Sequence, residues 1–346
     1  MKTEHNIFIG NSQNMIQLED NSVDLIVTSP PYPMIKMWDD MMIAQNKEID
    51  KYLEKEPMMA FELMHQILDK VWTECFRVLK PGGFLCINIG DATRTIGEQF
   101  SLYNNHSRVV KKCIDLGFVG LPNIIWRKQT NAPNKFMGSG TLPCGAYVTL
   151  EHEWILIFRK GGKRLYKTAN EKSERLKSSI FWEERNIWFS DVWNIKGTKQ
   201  NIKNSQTRTR SAAFPVEIPF RLINMFSQNG DVVLDPFLGT GTTTIAAILA
   251  GRNSYGYEID NMFEAIVREG VENLDINLCN HIIMNRLVSH EYFVKNRENL
   301  GKQIKYFNEN LNCKVMTKQE TNLELNIIKS LSKDDPGRYL VEYEKL

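Results

Sequence analysis

Val232-Val233-Leu234-Asp235-Pro236-Phe237-Leu238-Gly239-Thr240-Gly241-Thr242 is the stretch that decides the fold. An apolar run closes on an aspartate, two glycines follow at Gly239 and Gly241, and a helical segment begins near Thr242 and runs to about Ala250. With a further strand at 254–259, this is a strand, a tight turn, a helix and a strand, a βαβ unit. Glycines in that turn permit backbone angles and a close ligand approach that a Cβ would block. The helix start offers free N–H groups and a positive dipole end, suited to a carboxylate. Glu258 ends the second strand about 20 residues past the glycines, where an acidic side chain accepts both hydroxyls of a ribose. The GxGxxG of dinucleotide enzymes and the Gly-Lys-Ser/Thr of a P-loop are both absent. Taken alone, the turn is compatible with a nucleotide-type ligand or with a turn kept for packing.

Far upstream, the apolar run Val23-Asp24-Leu25-Ile26-Val27 ends at Thr28-Ser29-Pro30-Pro31-Tyr32. A Pro-Pro pair cannot continue a sheet ladder, so the motif belongs at the strand's C-terminal end. In open α/β sheets ligands bind at that edge. The residue types suit an exocyclic amine, whose lone pair is delocalised into its ring. Two acceptors that draw the nitrogen toward a tetrahedral shape make it nucleophilic. Ser29 Oγ accepts one N–H and the freed Pro30 carbonyl the other, while Tyr32 presents a flat face to an extruded base. No covalent intermediate is needed, so no cysteine nucleophile is expected. Pro143-Cys144 precedes the glycine turn, and Val271-Glu272-Asn273-Leu274 is the nearest approach to a Glu-Asn-Val partner. His152-Glu153 has no PCxxC to complete a zinc deaminase, and nothing else supports a metal. Glu151-His152-Glu153 therefore reads as a structural group opening an apolar strand, with a place in the site as the less favoured alternative.

At 346 residues the chain holds one large α/β domain with an appendage, or two smaller domains. The formal net charge is +2, but residues 160–210 carry 13 Lys/Arg against 5 Asp/Glu, a local +8 on a body at −6. That is an electrostatic footprint for phosphates or a solvated loop region. The six cysteines are scattered with no CxxC pair, as in a reduced, cytoplasmic protein. No apolar run approaches the roughly 18 residues that span a bilayer, so a soluble protein without a membrane partner is expected. A short helix is expected at 14–18, a helix within 34–80, and a stop at Lys80-Pro81-Gly82-Gly83 before a strand at 84–89. A polar stretch at 90–105 precedes a helix near 108–116 and strands at 120–127 and 153–159. Residues 131–145 read as a mobile loop able to fold over a flipped base. Residues 161–210 lack periodicity, 214–227 form a helix, and 277–346 mix signals.

The order TSPPY before DPFLGTGTT resembles the β-type, permuted amino-methyltransferase family of restriction–modification systems, and more narrowly its N4-cytosine branch. Lys80-Pro81-Gly82-Gly83, the segment from Glu151 to Gly161, Phe189-Ser190-Asp191-Val192-Trp193 and Ala213-Phe214-Pro215 are similar to further family segments. The resemblance implies an α/β, Rossmann-like fold dependent on S-adenosyl-L-methionine (AdoMet). Its seven-stranded sheet is circularly permuted in sequence and carries an inserted target-recognition region. It divides the chain into a catalytic half at 1–160, target recognition at 161–212, a cofactor half at 213–276 and an extension at 277–346. Ser29, Pro30, Pro31 and Tyr32 would be catalytic. Asn11, Phe214, Asp235, Phe237, Gly239, Thr240, Gly241, Thr242 and Glu258 would hold AdoMet, although Asn11 stands where relatives often carry Asp. Lys163, Arg164, Lys167, Arg208 and Arg210 would meet DNA, with Phe181, Trp182, Trp188 and Trp193 forming a small core. The implied activity is N4-cytosine methylation of double-stranded DNA, guarding it from a cognate restriction endonuclease, by a monomer or homodimer. Ser29 favours cytosine over an N6-adenine target, and an RNA or protein-glutamine methyltransferase is the remote alternative.

Overall fold

The computed structural model describes residues 1–128, 138–197 and 214–346. In chain order it contains β1 (Lys2–Ile9), β2 (Val23–Thr28), α1 (Asp39–Gln45), α2 (Glu48–Leu53), α3 (Pro57–Val78), β3 (Leu79–Ile89), β4 (Ala92–Ile96), β5 (Gln99–Tyr103) and α4 (Asn105–Asp115). Then come β6 (Phe118–Gly120), β7 (Ile124–Arg127), β8 (His152–Lys160), α5 (Ala169–Lys177), α6 (Trp182–Trp188) and β9 (Val192–Asn194). The last part holds α7 (Glu217–Phe226), β10 (Val232–Asp235), α8 (Thr242–Ala250), β11 (Asn253–Glu258), α9 (Met262–Glu272), α10 (Ile276–Asn299) and strands β12 (Tyr306–Asn308) to β15 (Arg338–Lys345). Between those two lie β13 (Cys313–Val315) and β14 (Asn326–Asp335).

Seven strands run β1-β11-β10-β2-β3-β8-β7 through the centre of one large sheet. The first five are parallel, β8 is antiparallel to β3, and β7 is antiparallel to β8. The permutation is visible in the pairing, because β10 and β11 from the C-terminal half insert between β1 and β2. Ile7 lies opposite Gly256 and Leu25 opposite Val233. The central strands β2 and β10 are buried on both faces, which explains their near-continuous apolar runs. Alternate residues feed two cores: Ile26, Leu85 and Leu156 pack with α1–α4, while Leu25, Cys86 and Ile157 pack with α7–α9.

Several elements depart from the sequence expectation. Residues 14–18 form turns rather than a helix, and the helix expected within 34–80 is broken into α1, α2 and α3. Strand β3 begins at Leu79, so Lys80-Pro81-Gly82-Gly83 lies inside it as an irregularity in its pairing with β2. Gly82 takes φ 87°, where a Cβ would stand 2.7 Å from the Arg164 backbone nitrogen. The polar stretch 90–105 contains the β4–β5 hairpin, and 161–197 contains α5, α6 and β9. Residues 277–346 extend the sheet, since β15 pairs antiparallel with β1 and β14 with β15. The same segment grips the inserted region through Arg286–Glu184 and His290–Glu183 ion pairs.

Candidate active site

A cleft opens at the C-terminal ends of β10, β11 and β2. Strand β10 is flanked there by β11 on one side and β2 on the other, the place where open α/β sheets hold ligands. Its lining includes Asn11, Ser29, Pro30, Pro31, Tyr32, Phe214, Asp235, Phe237, Gly239, Thr240, Thr242 and Glu258. Gly241 stands just behind this lining as the N-cap of α8, at φ 83°. A Cβ there would meet Val267 Cγ1 at 3.1 Å, so glycine serves both the left-handed backbone and the packing of α9. Trp38, Met41, Met42, Ile67 and Phe263 complete the apolar part of the wall.

The wall built from β10 and β11 is held by two buried carboxylates. Glu258 Oε2 accepts from Gly239 N and Oε1 from Asp260 N, both at 2.8 Å, so one side chain ties the glycine turn to the loop after β11. Burial pushes its carboxyl up to about 7. Asp235 accepts from Thr28 Oγ1 at 2.6 Å, Thr243 Oγ1 at 2.7 Å and Phe237 N at 3.0 Å. Burial raises its carboxyl to about 6. Asp235 thus joins the ends of β10 and β2 and the first turn of α8. Asn11 Oδ1 accepts from Gln13 N at 2.9 Å, which fixes the turn after β1.

The opposite wall carries Ser29-Pro30-Pro31-Tyr32 off the end of β2. Asn105, fully buried, braces the turn by donating to Pro33 O at 3.1 Å and Gly90 O at 3.0 Å. Tyr32 Oη donates to Glu153 Oε2 at 2.9 Å, accepts from Asn88 Nδ2 at 2.8 Å and lies 3.1 Å from Ser29 Oγ. Asn88 Nδ2 also donates to Glu153 Oε2 at 2.6 Å, and Lys128 Nζ pairs with Glu153 Oε1. Burial, with the Glu153 carboxylate beside it, raises the Tyr32 phenol well above its ordinary range, so it keeps its proton.

Asn88, Lys128 and Glu153 were not named as site residues from the sequence. The sequence favours a structural role for Glu153, and the structure brings its carboxylate into contact with Tyr32 in the cleft. The available signal was a polar residue inside each of two apolar strands, since a buried polar group must find partners. The charged candidates scatter differently. Because β8 is antiparallel to β3, the chain after Lys160 starts at the end of the sheet remote from the cleft. Arg164 is engaged there with Asp231 at 2.6 Å and Asp24 at 3.5 Å. Lys163 is exposed beside it, and Lys167 is exposed at the start of α5, its backbone N–H donating to Glu171 Oε2. Arg208, Arg210 and residues 131–137 of the expected loop lie outside the described residues. Phe181, Trp188 and Trp193 are buried and Trp182 half-buried, but they form no small core of their own: Trp188 and Trp193 join the core under α7–α9, and Phe181 packs with Ile283, Leu311 and Leu323 of the last segment. Among the described residues no His/Cys/Asp/Glu group could hold a metal ion, and no helix is long and apolar enough to cross a membrane.

Residues 23–269, which span both walls, match the family model described as DNA methylase. The chain is 49% identical to the Type II methyltransferase M.MthZI of Methanothermobacter thermautotrophicus, over 100% of this chain and 97% of the relative. It is 50% identical to the Type II methyltransferase M.MjaI of Methanocaldococcus jannaschii, over 78% of this chain and 91% of the relative. A DNA modification methylase of Thermus thermophilus, solved in complex with AdoMet, superposes with a TM-score of 0.59 at 32% identity. That match covers 77% of this chain and 92% of the other. The PvuII DNA methyltransferase, cytosine-N4-specific, is similar in fold, with a TM-score of 0.52 at 18% identity over 77% of this chain and 86% of that one.

Proposed function

The chain belongs to the DNA methylase family, and within it we propose a site-specific methyltransferase that modifies the exocyclic N4 of cytosine in double-stranded DNA. The observation that carries this reading is Ser29, a neutral acceptor hydrogen-bonded to Tyr32 in the same cleft as the glycine turn. Its short side chain suits the smaller pyrimidine, whereas a carboxylate at this position would favour an N6-adenine target.

The residues of the β10–β11 wall fit AdoMet. At Gly239, φ 54°, a Cβ would find no atom nearer than Phe237 O at 4.0 Å, so the turn faces open cleft. Glu258 would take the ribose hydroxyls, Phe214 would flank the cofactor, and the turn from Asp235 through Thr242 would surround its methionine part. When bound, AdoMet supplies an electrophilic methyl group. The chain's own task is to deliver the nucleophile. A cytosine extruded from the duplex reaches the wall of Ser29-Pro30-Pro31-Tyr32, where the Tyr32 ring supports it. Ser29 Oγ and the Pro30 carbonyl accept its two amine hydrogens, drawing the lone pair out of the ring.

Similarity to Type II methyltransferases supports a protective role beside a cognate restriction endonuclease in the cytoplasm. Nucleoside mass spectrometry of DNA from cells expressing the chain, beside a Ser29→Ala control, tests the reading. N4-methylcytosine in the wild type alone is the expected result. N6-methyladenine would replace the target base, and an unmethylated genome would overturn the assignment to DNA.

A further inference from the structure

A serine hydroxyl can meet an amine with its lone pairs or with its hydrogen, and only the first holds the amine for attack. The buried groups behind Ser29 select between these orientations. A carboxylate has no hydrogen to give, so the 2.9 Å contact between Tyr32 Oη and Glu153 Oε2 consumes the phenol's single hydrogen. The Asn88 amide nitrogen lies 2.8 Å from Tyr32 Oη and 2.6 Å from Glu153 Oε2, giving one hydrogen to each. The flipped amide would set its carbonyl oxygen against the carboxylate. Tyr32 Oη therefore faces Ser29 Oγ, 3.1 Å away, with a lone pair. Ser29 must donate inward, and its own lone pairs are left for the cleft.

From this geometry, and resting on the reading of Ser29 as the amine acceptor, we infer that Glu153 is a positioning residue for methyl transfer. Acting through Tyr32, it turns the Ser29 hydroxyl so that it presents an acceptor to the target amine. The arrangement is tightly built. Glu153 is 9% exposed and Asn88 3%. Lys128 compensates the other carboxylate oxygen. A Cβ on Gly90 would stand 3.0 Å from the Tyr32 ring and 3.3 Å from Glu153 Cγ, so a side chain there would crowd both.

Removing the acceptor at 153 frees the phenol hydrogen to swing toward Ser29 and drive the serine hydrogen out against the amine. Removing the Tyr32 hydroxyl as well abolishes that reversal. The test is tritiated methyl transfer from AdoMet to genomic DNA of a host lacking the chain, with AdoMet affinity measured by calorimetry for each full-length variant. Glu153→Leu should lower kcat about 100-fold with AdoMet affinity unchanged, a loss of the size seen when a positioned polar group is removed. Glu153→Gln, which retains an acceptor, should stay within about fivefold, and Tyr32→Phe should lose about tenfold, one hydrogen bond's worth. The double variant Glu153→Leu/Tyr32→Phe should recover to the Tyr32→Phe rate, which a purely structural role for Glu153 does not provide. A double variant no faster than Glu153→Leu overturns the inference, as does wild-type turnover in Glu153→Leu while Ser29→Ala is inactive. If leucine at 153 prevents AdoMet binding, Tyr32→Phe reads the same relay, and a wild-type kcat there overturns it. Full turnover in Ser29→Ala overturns instead the reading of Ser29 on which the inference rests.

Discussion

The two walls of the cleft are assembled by different means. On the β10–β11 wall, the carboxylates of Glu258 and Asp235 reach backbone amides only two or nineteen residues away, shaping a turn within one βαβ unit. On the other wall, Tyr32 meets Asn88 across 56 residues of sequence and Glu153 across 121, through side chains alone. The first design presents a backbone surface that tolerates little change in shape. The second presents oriented hydrogen bonds, whose value lies in which atom holds the hydrogen. Asp235 belongs to both, since Thr28 at the end of β2 donates to it across 207 residues.

Each wall can be broken separately. Ser29→Ala should have the largest effect on catalysis, lowering turnover about 10²–10³-fold. AdoMet affinity should stay within about twofold in calorimetry, because the lesion lies wholly on the wall of Ser29 and Tyr32. Equal losses of both would erase the distinction. Asp235→Ala should damage both walls. Thr28 would keep a buried hydroxyl without its acceptor and Thr243 only the long contact to Val27 O at 3.4 Å, costing about 2 kcal/mol in chemical denaturation and weakening both binding and turnover.

The next test is a titration of the β10–β11 wall. The Glu258 carboxyl is pushed up from 4.5 to about 7 in the fold. The folded state therefore holds its proton more tightly than the unfolded chain. The stability this group lends is fully present below 4.5 and is lost as pH rises through about 7. Ribose hydroxyls favour the ionised form, so AdoMet affinity should move the other way, rising about tenfold between pH 6 and 8. Glu258→Gln should flatten both profiles, which thermal unfolding and calorimetry at several pH values would check. Arg164→Gln should have the smallest effect. Methyl transfer and its salt dependence should remain within about twofold, because Arg164 is ion-paired at the end of the sheet remote from the cleft. Stability should fall by about 1–2 kcal/mol as Asp231 loses its partner. A marked change in salt dependence would return Arg164 to the DNA surface.

The β10–β11 wall was largely legible in the sequence because its parts are local. A run ending in Asp235, glycines at Gly239 and Gly241, and Glu258 one strand later can be read in a single window. Ser29-Pro30-Pro31-Tyr32 was legible for the same reason, its prolines dictating the end of a strand. The short pieces were not. The β4–β5 hairpin, the break between α1 and α3, and the pairing of β15 with β1 depend on what the rest of the fold packs against them. The positive charge of 160–210 was read correctly as a sum, yet its sum said nothing of direction. Arg164 is committed to Asp24 and Asp231, which the excess of cations did not reveal.

By itself the sequence determined the class of sheet and the two motifs that meet at its edge, because strand periodicity, proline and glycine act over a few residues, while the permuted order followed from the resemblance those motifs carry. Only the tertiary structure decided that Asn88, Glu153 and Lys128 stand behind Tyr32, that Arg164 faces away, and that the last strands complete the sheet. Those outcomes depend on which distant strands become neighbours, and hydrogen-bond direction exists only once they do.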